Sequence, residues 1–97
     1  DHLDEMRARV ARLVEERGRV ATALDELPVD QWPSAANFIL FRPCRRAGED
    51  VWSELVERSV LVRNCSSWPG LTDCLRVTLG STRENDEFLA ALADVLG

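Results

Sequence analysis

The chain is 97 residues long, 45% hydrophobic and 30% charged, with a net charge of −5 at pH 7. That length suits one domain, burying roughly two-thirds of its extended-chain surface, and the composition excludes disorder over the whole chain. The negative balance argues against a general binder of nucleic acid or of membrane surfaces, since both require a positive field.

Between Leu3 and Leu27 the residues Leu3, Met6, Val10, Leu13, Val14, Leu24 and Leu27 fall mostly at three- and four-residue steps, which predicts one long helix. Glutamates and arginines between them form solvent-facing pairs such as Glu5–Arg9. Gly18 weakens the middle by about 1 kcal/mol relative to alanine and marks a place for a bend. The helix begins without a clear cap, as one continuing from a longer chain would.

Pro28, Asp30 and Pro33 end it, and Ala36–Phe41 then predicts a strand. That strand is apolar on both faces apart from Asn37, which suits a central position covered by helices. Asn37 needs a hydrogen-bond partner there, most simply from the backbone. Arg42–Gly48 is a polar connection, and Val51, Trp52, Leu55 and Val56 mark a short amphipathic helix over Glu49–Arg58. Trp32 and Trp52 read as packing residues.

Val60–Arg63 and Leu75–Leu79 predict two further strands joined by a turn-rich loop, in which Trp68-Pro69-Gly70 reads as a turn covered by its own indole. In the second strand Leu75, Val77 and Leu79 face one way and Arg76 and Thr78 the other. Gly80 ends it. Ser81-Thr82-Arg83-Glu84 is a capping box, opening a final helix with Phe88, Leu89, Leu92, Val95 and Leu96 on its buried face. The order α-β-α-β-β-α predicts an α+β domain, with helices packed on a small, mostly antiparallel sheet.

Arg63 and Arg76 are the candidate binding residues. Each occupies an otherwise apolar strand, and the return loop would bring them side by side. An arginine in a half-buried strand is costly unless an anion or carboxylate meets it. Either one alone reads most plainly as an exposed or ion-paired surface residue. Together, at the two ends of one β-loop-β unit, they read as a receptor for an anionic small molecule, each fork contributing about 1.5–3 kcal/mol.

All 12 basic residues are arginine; there is no lysine, so no side chain can form a Schiff base with a carbonyl compound. Cys44, Cys65 and Cys74 include no C-x-x-C pair, and the single histidine is His2, so no metal site is expected. Cys65 and Cys74 lack a neighbouring base and read as inert thiols, while Glu84 is occupied by its capping role. No catalytic residue is expected within the chain. Cysteine usage fits a reduced, cytoplasmic setting, and neither a membrane-spanning run nor a signal peptide is visible.

The segments Ser34–Arg42, Val60–Arg63, Gly70–Gly80 and Glu84–Leu89, in this order and spacing, resemble the C-terminal part of the histidinol-phosphate aminotransferase family. The resemblance runs over about residues 8–97. Ser59 stands where that family usually has glycine, Asn64 where it more often has aspartate, and the loop holding Trp68-Pro69 is longer than in some members.

The resemblance implies the small domain of a fold-type-I pyridoxal-phosphate enzyme, a homodimer when complete. Residues 1–27 would then be a long helix leading from a large domain, and residues 34–97 the small-domain core. The cofactor, pyridoxal phosphate, and its lysine would belong to the large domain, leaving these 97 residues inactive alone. By position, Arg76 matches the arginine that binds the substrate carboxylate, and Arg63 the one at the phosphate end of histidinol phosphate. The implied reaction is amino transfer between L-histidinol phosphate and 2-oxoglutarate, as a step of histidine biosynthesis. Aminotransferases for aromatic amino acids, and a phosphothreonine decarboxylase, share parts of the pattern. A free-standing, non-catalytic module for an anionic metabolite or a partner protein is the alternative of a different class.

Overall fold

The computed structural model describes residues 2–33 and 37–97. Seven elements follow in order: α1 (His2–Asp25), β1 (Val29–Pro33), β2 (Phe38–Pro43), α2 (Gly48–Glu57), β3 (Arg63–Asn64), β4 (Leu75–Thr78) and α3 (Thr82–Leu96). The four strands form one antiparallel sheet in the order β1-β2-β4-β3. The α+β architecture expected from the sequence is met, with one strand more than predicted.

That strand is β1. Its prolines read as helix terminators, yet Pro28 lies just before the strand and Pro33 at its end, and β1 pairs only with β2. An edge strand tolerates proline because one row of its amides needs no ladder partner. The Gln31 side chain fastens it to α1, donating to the Ala21 carbonyl at 2.7 Å.

The α1 helix runs unbroken through Gly18, so the bend anticipated there does not interrupt it. Its buried residues, Val20 and Leu24, lie toward its C-terminal end, with Leu13 and Ala21 packed partly against the core; Leu3, Met6, Val10 and Val14 form an exposed apolar stripe. In β2 the residues Ile39, Phe41 and Pro43 alternate with the half-buried Phe38, Leu40 and Arg42. The strand starts two residues later than expected, and the expected start at Ala36 lies outside the described residues. It is central, but helices cover one face only. Asn37 precedes it, exposed in a bend, and its backbone carbonyl accepts the Leu79 amide at 2.7 Å.

Against the covered face lie Ile39, Phe41, Leu75 and Val77, together with Val51 and Leu55 of α2 and Phe88 and Leu92 of α3. Phe41 and Phe88 meet edge to face with centroids 5.7 Å apart. Burial at about 25 cal/mol per Å² of apolar surface makes this single layer the main source of stability.

The predicted strand Val60–Arg63 shrinks to Arg63–Asn64. Val62 is buried, but its carbonyl accepts the Trp52 indole N–H at 3.0 Å instead of a strand partner, and Leu61 points to solvent. Trp52 thus packs as expected. Before this strand, α2 closes in a Schellman motif: Val60 N–H bonds Leu55 O and Ser59 N–H bonds Val56 O, both at 2.9 Å. Ser59 takes φ 64°, the left-handed conformation that glycine adopts cheaply.

The capping box at α3 is present as read: the Ser81 hydroxyl accepts from Glu84 N–H at 3.2 Å, and the Glu84 carboxylate accepts from Ser81 N–H at 3.1 Å. Asn85, the one buried polar residue among those described, joins α3 to α1 and to the turn after β4. Its Oδ1 accepts the Gly80 amide at 2.9 Å, and its Nδ2 donates to Glu16 of α1 at 3.0 Å. Arg19 completes this junction by bridging Glu16 and Asp86, each at 2.7 Å. Among the described residues no helix is long and apolar enough to cross a membrane.

Candidate functional site

Strand register places Trp32 beside Leu40, Leu40 beside Arg76, and Arg76 beside Arg63. In a pleated sheet such direct partners leave from the same face. The row Trp32–Leu40–Arg76–Arg63 therefore crosses the whole sheet on the side away from the helices. The two arginines singled out in the sequence are direct cross-strand neighbours.

Each arginine on this face lies against an aromatic ring. The guanidinium carbon of Arg76 is 5.2 Å from the centre of Phe38, that of Arg63 is 5.3 Å from Trp68, and that of Arg42 is 5.4 Å from Trp32. These are cation–π distances. Trp68 does occupy a turn, its amide bonding Cys65 O at 3.0 Å and its carbonyl accepting Leu71 N–H at 3.1 Å. Trp68 stands 44% exposed, its ring against Arg63. Trp32, expected to pack inside, is likewise exposed beneath Arg42.

The three arginines differ in what else they touch. Arg42 is bonded to Asp30 at 3.0 Å, its partner in the β1–β2 register, and that contact raises its pKa. Among the described residues no carboxylate pairs with Arg63 or Arg76. Arg76 is half-buried, and its Nε is shielded from solvent without a hydrogen-bond partner. A buried donor left unmet is costly, so the pair presents capacity for an anion that Arg42 has already spent on Asp30.

Beside the row, Trp32, Leu40, Arg42, Gly70, Leu71 and Cys74 line a cleft of about 320 Å³. Burial pushes the Cys74 thiol pKa up, with Arg42 pulling weakly the other way, so the neutral thiol dominates near neutrality. All three cysteines are free. Among the described residues no group of three or more His, Cys, Asp or Glu side chains is placed to hold a metal ion. What this face can do is bind and orient a small anion on a rigid strand.

Residues 1–92 match the model of the aminotransferase class I and II family. The chain belongs to that family. It is 47% identical over 85 residues to histidinol-phosphate aminotransferase 2 of Nitrosococcus oceani, covering 84% of this chain and 24% of that protein. Against the histidinol-phosphate aminotransferase of Corynebacterium efficiens the identity is 43% over 96 residues, covering 99% and 24%. The crystal structure of the histidinol-phosphate aminotransferase from Clostridium acetobutylicum shares the fold with a TM-score of 0.80 at 28% identity, over 86% of this chain and 26% of that one. This class I and II aminotransferase chain thus spans about a quarter of the length of the curated relatives it matches. The family read from four short motifs is the family found, and the α+β fold agrees with it.

The arginine pair is legible in the sequence; the Phe38 ring behind Arg76 is not. Phe38 lies two positions before Leu40, on the same face of β2, which makes it a diagonal neighbour of Arg76. That relation could have been found only once the strand register was known.

Proposed function

We propose that this chain is the small domain of a cytoplasmic, homodimeric, pyridoxal-phosphate-dependent histidinol-phosphate aminotransferase. The enzyme would convert L-histidinol phosphate and 2-oxoglutarate into imidazole-acetol phosphate and glutamate, within histidine biosynthesis. The observation that carries this reading is the carboxylate-free pair Arg63–Arg76 on the open sheet face, in a chain whose relatives bear that name.

Pyridoxal phosphate, when bound, supplies a carbonyl for the amino group and an electron sink for the reaction. The residues here do not fit the task of holding that carbonyl, because none of the 97 is a lysine. Their part is orientation. Arg76, on a packed strand, binds the carboxylate of glutamate or 2-oxoglutarate, and Arg63 the phosphate end of histidinol phosphate. Two guanidinium forks fix an anion's position as well as its charge, which converts binding energy into alignment of the reacting centre. In the same reading α1 leads from the large domain, which covers the exposed stripe Leu3, Met6, Val10 and Val14.

The test is a transamination assay of the full-length enzyme. L-Histidinol phosphate with 2-oxoglutarate should yield glutamate at a higher kcat/KM than any aromatic amino acid offered instead. Preference for an aromatic amino acid would move the substrate to that class, and no transamination at all would remove the reading.

A further inference from the structure

We propose that Trp68 is a positioning residue that sets where Arg63 meets the anionic end of the substrate, an inference that rests on the reading of Arg63 and Arg76 as the anion-binding pair. Arg63 sits on a two-residue strand at the edge of the sheet, exposed and without a carboxylate partner among the described residues. A long side chain in that setting keeps much rotamer freedom, and freedom surrendered only on binding weakens binding. The contact that holds Arg63 in advance is the face of the Trp68 indole, 5.3 Å from its guanidinium carbon.

The geometry of the pair makes this holding matter. Arg63 and Arg76 are direct partners across β3 and β4, where like charges repel. Arg76 rests on Phe38 of β2, on the far side of β4 from β3, and Arg63 rests on Trp68 in the loop that follows β3. The two rings therefore draw the guanidinium groups apart and fix each position before an anion arrives.

Trp68 is itself well placed. Its amide and carbonyl are bonded within the turn, and Asn64 Oδ1 accepts the Ser66 amide at 3.0 Å just before it. The exposed ring fills no part of the core, so removing it should leave the fold intact.

The experiment is steady-state kinetics on the full-length enzyme with Trp68→Ala, Trp68→Leu and Trp68→Phe. Alanine and leucine should raise KM for L-histidinol phosphate roughly three- to tenfold, with kcat altered by less than about twofold, and phenylalanine should restore most of the loss. Leucine, bulky but without a π face, keeps the test decisive if the alanine variant folds poorly. In an Arg63→Ala background Trp68→Leu should add nothing, because its effect passes through Arg63. A KM unchanged by Trp68→Leu, or an equal rise with and without Arg63, overturns the inference.

The two readings fail separately. A wild-type enzyme that ignores L-histidinol phosphate removes the proposed function alone. Trp68 is then judged by calorimetric titration of the same proteins with inorganic phosphate. Weaker binding by Trp68→Leu than by wild type and Trp68→Phe supports its role; equal binding, or none by wild type, overturns it.

Discussion

The Asp73 carboxylate accepts the backbone amide of Gly48 at 2.9 Å, so the loop that joins the strands of Arg63 and Arg76 is pinned to the first turn of α2. Ala47, at the N-cap, offers no side-chain acceptor, and Asp73 caps the helix from a distance of 25 residues along the chain. Asp73 pays for this with a left-handed φ of 62°. A Cβ on Gly48 would lie 2.5 Å from the Asp73 carbonyl oxygen, inside contact distance with backbone. Gly48→Ala should therefore cost about 1–3 kcal/mol, as overpacking does. Asp73→Ala should cost about 1–2 kcal/mol through the lost cap, whereas Asp73→Asn, which keeps an acceptor and tolerates positive φ, should cost less. Urea unfolding of the three variants gives the ranking.

Ser59 offers the opposite case. It ends α2 in the left-handed region at φ 64°, with both Schellman hydrogen bonds already made. Ser59→Gly removes the Cβ strain while raising the entropy of the unfolded chain, and the first effect should win by about 0.5–1 kcal/mol. A higher denaturation midpoint at an unchanged m-value is the expected result.

Acid should act through the α1–α3 junction. Hydrogen bonds from Arg19 and Asn85 hold the Glu16 carboxyl down to about 2, against an ordinary value of 4.5. The Ser81 amide and hydroxyl lower Glu84 in the same direction. A carboxyl with a depressed folded-state pKa contributes stability that is complete above its unfolded value and is lost as pH falls through the folded one. For Glu16 that window runs from about 4.5 down to about 2. Glu16→Gln should flatten the fall of Tm across this range and change its slope little above it, as differential scanning calorimetry at several pH values would show.

Arg76 and Arg63 should separate kinetically in the full-length enzyme. Arg76→Ala is expected to raise KM for glutamate and 2-oxoglutarate roughly tenfold or more, the worth of one charge-assisted fork. Arg63→Ala should act mainly on L-histidinol phosphate. Lysine should rescue neither well, since it lacks the planar fork. The visible absorbance of the bound cofactor should be the same in both variants and wild type, since neither arginine holds the carbonyl. Equal effects of each variant on both substrates would dissolve the division of labour.

The 97-residue chain mixed with pyridoxal phosphate and borohydride should retain no stoichiometric adduct. With no lysine present, the backbone amino terminus is the remaining amine. Mass spectrometry of the reduced protein decides this, and a stoichiometric adduct elsewhere than at Asp1 would contradict it.

Local rules carried much of the reading. The long first helix, the capping box at Ser81, and the alternation of Leu75 and Val77 against Arg76 are set by neighbours a few positions apart and are present, with the helix ending at Asp25 and the strand at Thr78, short of the expected Leu27 and Leu79. The strand Val29–Pro33 escaped because its prolines mark a break locally and an edge only when β2 lies alongside. The strand at Val60 was too long because Trp52, on another element, takes the Val62 carbonyl.

The sequence by itself determined which residues could bind an anion, because guanidinium chemistry and strand alternation are properties of the chain. Only the tertiary structure decided which of them remain available. Arg42, Arg63 and Arg76 share one face and each lies over a ring, yet Asp30 neutralises the first, and among the described residues no carboxylate pairs with the other two. That difference arises from strand register, a set of hydrogen bonds between segments distant in sequence, which no local pattern encodes.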